Sequence, residues 1–283
     1  MAIRTTMLMV LLTVILVAIG GLLAGLGGAL FAFVLALIFN FLTYWFSDRI
    51  VLAATRAKEI NENEFPELHR VVRSLSTQAR IPMPRSYLIN SESANAFATG
   101  RNPQNAALVV TKGLINLLNE EELEGVIGHE LSHIRNRDIL IASIAATFAG
   151  AVTIIATWAR WGAIFGGLSD DEHGGGLGIL PLLIIGILAP LGATIIQLAI
   201  SRAREYGADE GSANSTRKPL SLANALKKLE MQAKKRPLLV NPSYSHLFIV
   251  NPLRGKDFII TLFSTHPPIE DRIRRLEKIA RKL

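Results

Sequence analysis

The pentapeptide His129-Glu130-Leu131-Ser132-His133 has the form H-E-x-x-H. On a helix, residues four apart share a face, so its two imidazoles can grip one divalent ion. Neutral imidazole is a good zinc ligand, and zinc lowers the pKa of its bound water to about 7. Glu130, one step from His129, reaches that water. It can take the water's proton as the oxygen attacks a peptide carbonyl, and then pass the proton to the leaving amine. The implied chemistry is zinc-dependent hydrolysis of peptide bonds, with one Zn2+ per chain. The same five residues also arise by chance in ordinary charged helices, so context has to decide. Ten residues upstream, Asn119-Glu120-Glu121-Glu122 has the capping-box pattern, with Asn119 as cap and Glu122 at the third helical position. A helix therefore starts there and runs through the motif.

Two histidines leave a catalytic zinc one protein ligand short. The continuation H-x-x-G-x-x-H is absent, because Ile134-Arg135-Asn136-Arg137 follows His133. The chain has no Cys, which excludes thiolate ligands and disulfides alike. The remaining candidates are Asp138, Glu205, Asp209, His246 and His266. On a continued helix Asp138 falls off the ligand face. Glu205 and Asp209 are four apart, which suits one ligand plus a carboxylate bonded to a ligand imidazole N–H. Glu205 is the preferred ligand, although a helix leaving a membrane with ordinary exposed charges explains the same spacing.

The elements that must bring these groups together are membrane-like. Of 283 residues, 50% are apolar and 19% are charged, and the mean hydropathy is +0.34. Residues 5–47 contain no charge over 43 positions. One helix of that length would measure about 64 Å, roughly twice the hydrocarbon core. Two spans are therefore expected, broken in the glycine-rich stretch 20–28. The block is too long for a signal peptide and ends in Tyr44-Trp45, a pair suited to the membrane interface. Residues 139–159 and 174–201 are two further uncharged runs, the latter containing Pro181 and Pro190. Four transmembrane helices follow. The loop 160–173 has a net charge of −2, whereas the rest of the chain holds 29 basic and 20 acidic residues. The positive-inside rule places that remainder in the cytoplasm. His133 and Glu205 then lie about 8–9 Å from the membrane boundary if both helices continue beyond it.

The expected organisation is a membrane hairpin over 1–47, a first cytoplasmic part over 48–138, a second hairpin over 139–201 and a second cytoplasmic part over 202–283. The cytoplasmic parts read as α+β. Phe65-Pro66-Glu67-Leu68 opens an amphipathic helix, short strands fall at 85–90, 94–99 and 106–111, and helices are expected at 219–232 and 268–283. The stretch 217–236 holds seven basic residues and one acidic one. It suits either an anionic membrane surface or a solvated helix face. No nucleic-acid module accompanies it. A transporter would need ionisable groups inside the spans, and there are none. A membrane chaperone or scaffold with a structural zinc is the alternative to a protease, but it leaves Glu130 without a task.

Several further motifs occur in order: Asn95-Ala96-Phe97-Ala98-Thr99-Gly100, Val109-Val110-Thr111-Lys112-Gly113-Leu114, Glu121-Glu122-Leu123-Glu124-Gly125-Val126, the stretch 202–209, and Thr265-His266-Pro267-Pro268-Ile269-Glu270-Asp271-Arg272. Together with the zinc motif they resemble the HtpX family of bacterial and archaeal membrane zinc endopeptidases, over almost the whole chain. The chain is similar, more distantly, to the CAAX prenyl endopeptidases. The resemblance implies a mainly α membrane protein with an α+β zincin-like, gluzincin protease domain facing the cytoplasm. It implies activity in the cytoplasmic membrane on damaged or misassembled membrane proteins and unfolded polypeptides under stress. It also implies metal ligands His129, His133 and Glu205, with Asp209 supporting a ligand. The Asn95-Ala96-Phe97 strand would pair with extended substrate, with Asn95 bonding a substrate carbonyl. His266 and Arg272 would approach the site as donors to the oxyanion. His69, His173 and His246 carry no motif and are expected to be structural or solvated.

Overall fold

A computed structural model describes residues 2–151, 201–238, 240–252 and 267–283. The end of the third expected span, the loop 160–173 and nearly all of the fourth span lie outside the described residues. So do His173, Pro181, Pro190 and His266.

The uncharged N-terminal block forms α1, Ala2–Ala54, which is two arms rather than one rod. The chain turns at Ala24 (φ −143°) and Gly25 (φ +60°), inside the glycine stretch, where a left-handed φ favours a residue without a Cβ. Asn40 Nδ2 donates to Thr13 Oγ1 at 2.9 Å and ties the arms together. The second arm, Ala24–Ala54, has 31 residues and is long and apolar enough to cross a membrane. Its Phe31, Val34, Ile38 and Phe41 are exposed, so one side of its apolar surface has no protein cover. It is the one helix among the described residues that meets this test, and the apolar part of the first arm, Met9–Ala18, is shorter.

The rest is mainly helical with a small sheet. β1 is Lys58–Glu59, β2 Arg85–Ile89, β3 Ala96–Gly100 and β4 Ala106–Thr111, in the order β1-β2-β4-β3. Only β2 and β4 are parallel. β4 is central and buried on both faces, which suits its sequence AALVVT. Leu108 and Val110 join one core with α2 (Pro66–Ala79), while Ala107 and Val109 join a second with Phe97 and Phe248. α3 is Lys112–Leu117, capped by Thr111 Oγ1.

The motif helix α4 is Glu120–Arg135. The expected capping box is present: Asn119 Oδ1 accepts from Glu122 N–H at 2.9 Å and Glu122 Oε2 accepts from Asn119 N–H at 3.1 Å. α4 does not continue into the apolar run that follows. Arg137 has φ +58°, in the left-handed region, and the next helix, α5 (Asp138–Ala151), starts anew. α5 packs Ile141, Ile144 and Phe148 with Leu12 of α1. α6 is Arg202–Thr216, α7 Pro219–Lys235 and α8 Ile269–Ala280.

α4 and α6 lie in close contact because their facing residues are small. A Cβ on Gly128 would come within 2.9 Å of Ser212 Oγ, which itself donates to Gly125 O at 2.6 Å. That approach carries Glu205, in the first turn of α6, toward the histidines of α4. In the basic stretch 217–236, four of the seven basic residues are paired within the protein. Lys218 meets Glu121 and Glu124, Lys227 meets Glu277, Lys228 meets Glu122 and Lys234 meets Glu230. This favours a paired helix surface over a strip reserved for lipid.

Candidate metal centre

One face of α4 presents His129 and His133, with ring centroids 4.8 Å apart and planes at 87°. Their Nε2 atoms are 3.2 Å apart. Glu205 completes a triangle, with Oε1 3.5 Å from His133 Nε2 and Oε2 3.7 Å from His129 Nε2. Ligand atoms about 2.0–2.1 Å from a tetrahedral zinc are separated by about 3.3–3.4 Å. The observed edges match that spacing, and two imidazoles with a carboxylate are a zinc-compatible donor set.

Each imidazole is fixed from behind. His129 Nδ1 lies 3.0 Å from Asp209 Oδ1, and His133 Nδ1 lies 3.1 Å from Asp138 Oδ2. A carboxylate can only accept here, so each Nδ1 carries a proton and Nε2 is the atom left to face the ion. Each carboxylate in turn faces an arginine. Arg272 donates to Asp209 through Nε at 2.9 Å and Nη2 at 2.7 Å, a bidentate pair that is fully buried. Arg204 Nε lies 3.6 Å from Asp138 Oδ1.

Asp138 is the residue that sequence reasoning placed off the ligand face. The break at Arg137 rotates it back toward His133. A left-handed φ at an arginine has no sequence signature comparable to a glycine. Asp138→Asn and Asp209→Asn should each weaken zinc binding about 10–100-fold, measured by competition with a chromogenic chelator. Unchanged affinity in both would mean that the imidazoles need no carboxylate behind them.

The two histidines titrate in opposite directions. Burial pushes His129 down to about 4 against the pull of Asp209, with the Arg272 guanidinium adding to the fall. Burial also opposes charge on His133, but the hydrogen bond it donates to Asp138 and the charges of Glu205 and Glu130 outweigh it and raise the imidazole to about 9. A proton therefore holds the His133 position in the metal-free protein and must leave when zinc binds. Zinc affinity should rise by about tenfold per pH unit from 7 toward 9, read by isothermal titration in buffers of different ionisation enthalpy. A flat profile over that interval would contradict the proton occupancy of His133.

Glu130 is buried, and its carboxyl accepts a backbone N–H from Ala98 of β3. Burial and the nearby Glu205 raise it to about 7, against the pull of His133 and Arg272. It lines a cleft of about 40 Å³ together with Ala98, His133, Asp138, Glu205 and His246. The space is water-sized.

The other expected site residues have different surroundings. Asn95 is buried, and its amide donates to Val250 O at 2.7 Å and accepts from Ala96 N–H at 3.1 Å. Its side chain braces β3 against the 249–250 segment instead of facing the cleft. Ala96 and Phe97 are buried, and Phe97 stacks edge-on against Phe248 at 4.9 Å. β3 is the end strand of the sheet, but Ala96 O accepts from Ile249 N–H and Gly100 N–H meets Ser143 Oγ. Arg272 donates to Asp209 and Ile249 O, and its Nη2 also lies 3.3 Å from His129 Nδ1 and its Nη1 3.8 Å from Glu205 Oε2. His69 is structural, with Nδ1 3.0 Å from Phe65 O. His246 lacked any motif yet lies buried at the cleft, Nε2 3.2 Å from Ala142 O. The 3-10 turn Pro242–Leu247 that delivers it has no periodicity to read.

The model of peptidase family M48 matches residues 62–280. A protease HtpX homolog of Syntrophobacter fumaroxidans is 54% identical over 279 residues, 98% of each chain. One of Pyrococcus furiosus is 53% identical over 282 residues, 99% of this chain and 96% of its own. The crystal structure of S. mikatae Ste24p is similar at 18% identity and a TM-score of 0.45, over 84% of this chain and 58% of that one. By the family match over 62–280 and the two full-length matches above 50% identity, the chain belongs to peptidase family M48, among the HtpX-type metalloproteases.

Proposed function

We propose that the protein is a zinc endopeptidase of the cytoplasmic membrane that cleaves damaged or misassembled membrane proteins and unfolded polypeptides, as in stress-linked quality control. The observation that carries this reading is the triangle of His129, His133 and Glu205 with Glu130 on the same cleft. His129, His133 and Glu205 would hold one Zn2+ per chain. When bound, the ion supplies a Lewis acid that polarises a peptide carbonyl and acidifies water. Glu130 then takes the proton of the attacking water and returns it to the leaving amine. Burial raises its carboxyl in the metal-free protein, which favours a group able to hold a proton and give it back. The Ala98 N–H holds the carboxylate in place.

Asp209 and Asp138 act as positioning residues for the two imidazoles, and Arg272 positions Asp209. His266, which lies outside the described residues, remains our proposed donor to the oxyanion, and β3 with the 95–97 segment our proposed guide for extended substrate. The exposed apolar arm of α1 and the basic excess outside loop 160–173 support a membrane anchor with the site on the cytoplasmic side. The test is metal analysis of purified protein with casein digestion before and after chelation. One zinc per chain with activity lost on chelation and restored by zinc supports the reading. Bound zinc with no hydrolysis would favour the scaffold alternative.

A further inference from the structure

A second cleft, of about 580 Å³, opens where the second arm of α1 meets the sheet. Its helical wall is a single ridge, since Phe41, Trp45 and Arg49 recur every four residues and so share a face. The Phe41 and Trp45 rings are 6.2 Å apart, and both are exposed. Arg49 is the first basic residue after the uncharged block, and Asp48 beside it is the first charge of either sign. The opposite wall comes from the sheet and contributes Arg85 and Arg101. The Arg101 guanidinium lies over the Trp45 ring at 4.3 Å from its centroid, so ring and cation are held together. Three arginines thus line the cleft against one acid, Asp48, which Arg85 meets at 3.5 Å. Among the described residues Arg49 and Arg101 have no carboxylate partner.

The order along the ridge, two rings and then a guanidinium, matches the order in a phospholipid, acyl chain and then phosphate. Arginine forks suit phosphate oxygens, and basic pockets beside membrane helices take anionic headgroups. We propose that this cleft binds an anionic glycerophospholipid, its phosphate held by Arg49, Arg85 and Arg101 and its acyl chain laid along Phe41 and Trp45. A free phosphate shares the charge but has no use for the two exposed rings. The proposal rests on the membrane reading above and needs α1 to be in the bilayer.

The full chain would be reconstituted in vesicles of phosphatidylcholine with a minority of phosphatidylglycerol. Flotation with purely neutral vesicles tests the membrane reading by itself. Detergent extraction followed by native mass spectrometry then gives the ratio of the two lipids retained. The wild type should enrich phosphatidylglycerol, and Arg49→Gln/Arg101→Gln should lower that enrichment by about fivefold per arginine. Arg49→Gln alone, at an exposed position, should lose about fivefold without disturbing the fold. Arg70→Gln/Arg73→Gln, at exposed positions of α2 outside the cleft's lining, should change nothing. Flotation with enrichment unaffected by the Arg49 and Arg101 variants, or lowered equally by the α2 variant, would overturn the lipid site and leave the membrane reading intact. Displacement of the retained lipid by excess inorganic phosphate would assign the cleft to free anions and overturn it as well. Failure to float with neutral vesicles would remove the membrane reading and the lipid site together.

Discussion

Glu130→Gln leaves zinc content at one ion per chain and lowers peptide hydrolysis by about 10²–10⁴-fold. The glutamine fills the same space and can still accept the Ala98 N–H at its carbonyl oxygen. It cannot take a proton from water. His129, His133 and Glu205 keep their spacing, so the metal is retained. The effect should therefore fall on kcat with little change in zinc affinity. Metal analysis and initial rates on one preparation measure both. Hydrolysis retained at the wild-type rate would remove Glu130 from the chemistry.

Arg272→Met should destabilise the metal-free protein by about 3–5 kcal/mol. The guanidinium is fully buried and is held charged by Asp209 and Glu205 against the cost of burial. It is also what keeps the Asp209 carboxyl low although burial alone would raise it. Removing the cation strands a buried carboxylate beside His129. The Ile249 carbonyl loses its donor in the same step. Denaturant unfolding of the metal-free protein gives the loss. Arg272→Met/Asp209→Leu separates the two roles of the pair. Removing both charges should recover part of the stability, since paired buried ions are often replaceable by apolar groups. Zinc affinity should stay low, because His129 Nδ1 has lost its acceptor. A double variant that regained full zinc affinity would show that the pair serves folding only.

These two expectations differ in how readable their residues were. Glu130 was legible at once because the motif and its capping box are local, and α4 forms as the pattern requires. Glu205 was legible through its spacing from Asp209, which a helix converts into one face. The hairpin turn was legible because glycines mark it, and it falls at Gly25. Arg272 was placed near the site by resemblance, but its partners come from α6 and the 249 backbone, and no local pattern encodes such a contact. Asp138 is not in the ligand triangle, as its spacing implies, but its contact with the back of His133 is hidden from a reading that carries α4 onward as one helix. The apolar run beyond residue 138 invites that continuation, whereas the chain breaks at Arg137 and turns the aspartate back to His133. The two-residue β1 and the short α3 carry too few positions for any periodicity. Asn95 illustrates the limit of a motif. The motif suggests an amide for a substrate carbonyl, whereas in the structure that amide donates to Val250 O, far away in sequence.

The central claim is that two imidazoles from α4 and one carboxylate from α6 form the coordination sphere. X-ray absorption at the zinc edge of the loaded full-length protein, compared with its Glu205→Ala variant, tests it most directly. The account predicts two histidine nitrogens at about 2.0–2.1 Å with a carboxylate oxygen at about 2.0–2.2 Å, and loss of that oxygen in the variant. A spectrum identical in the two proteins would contradict it.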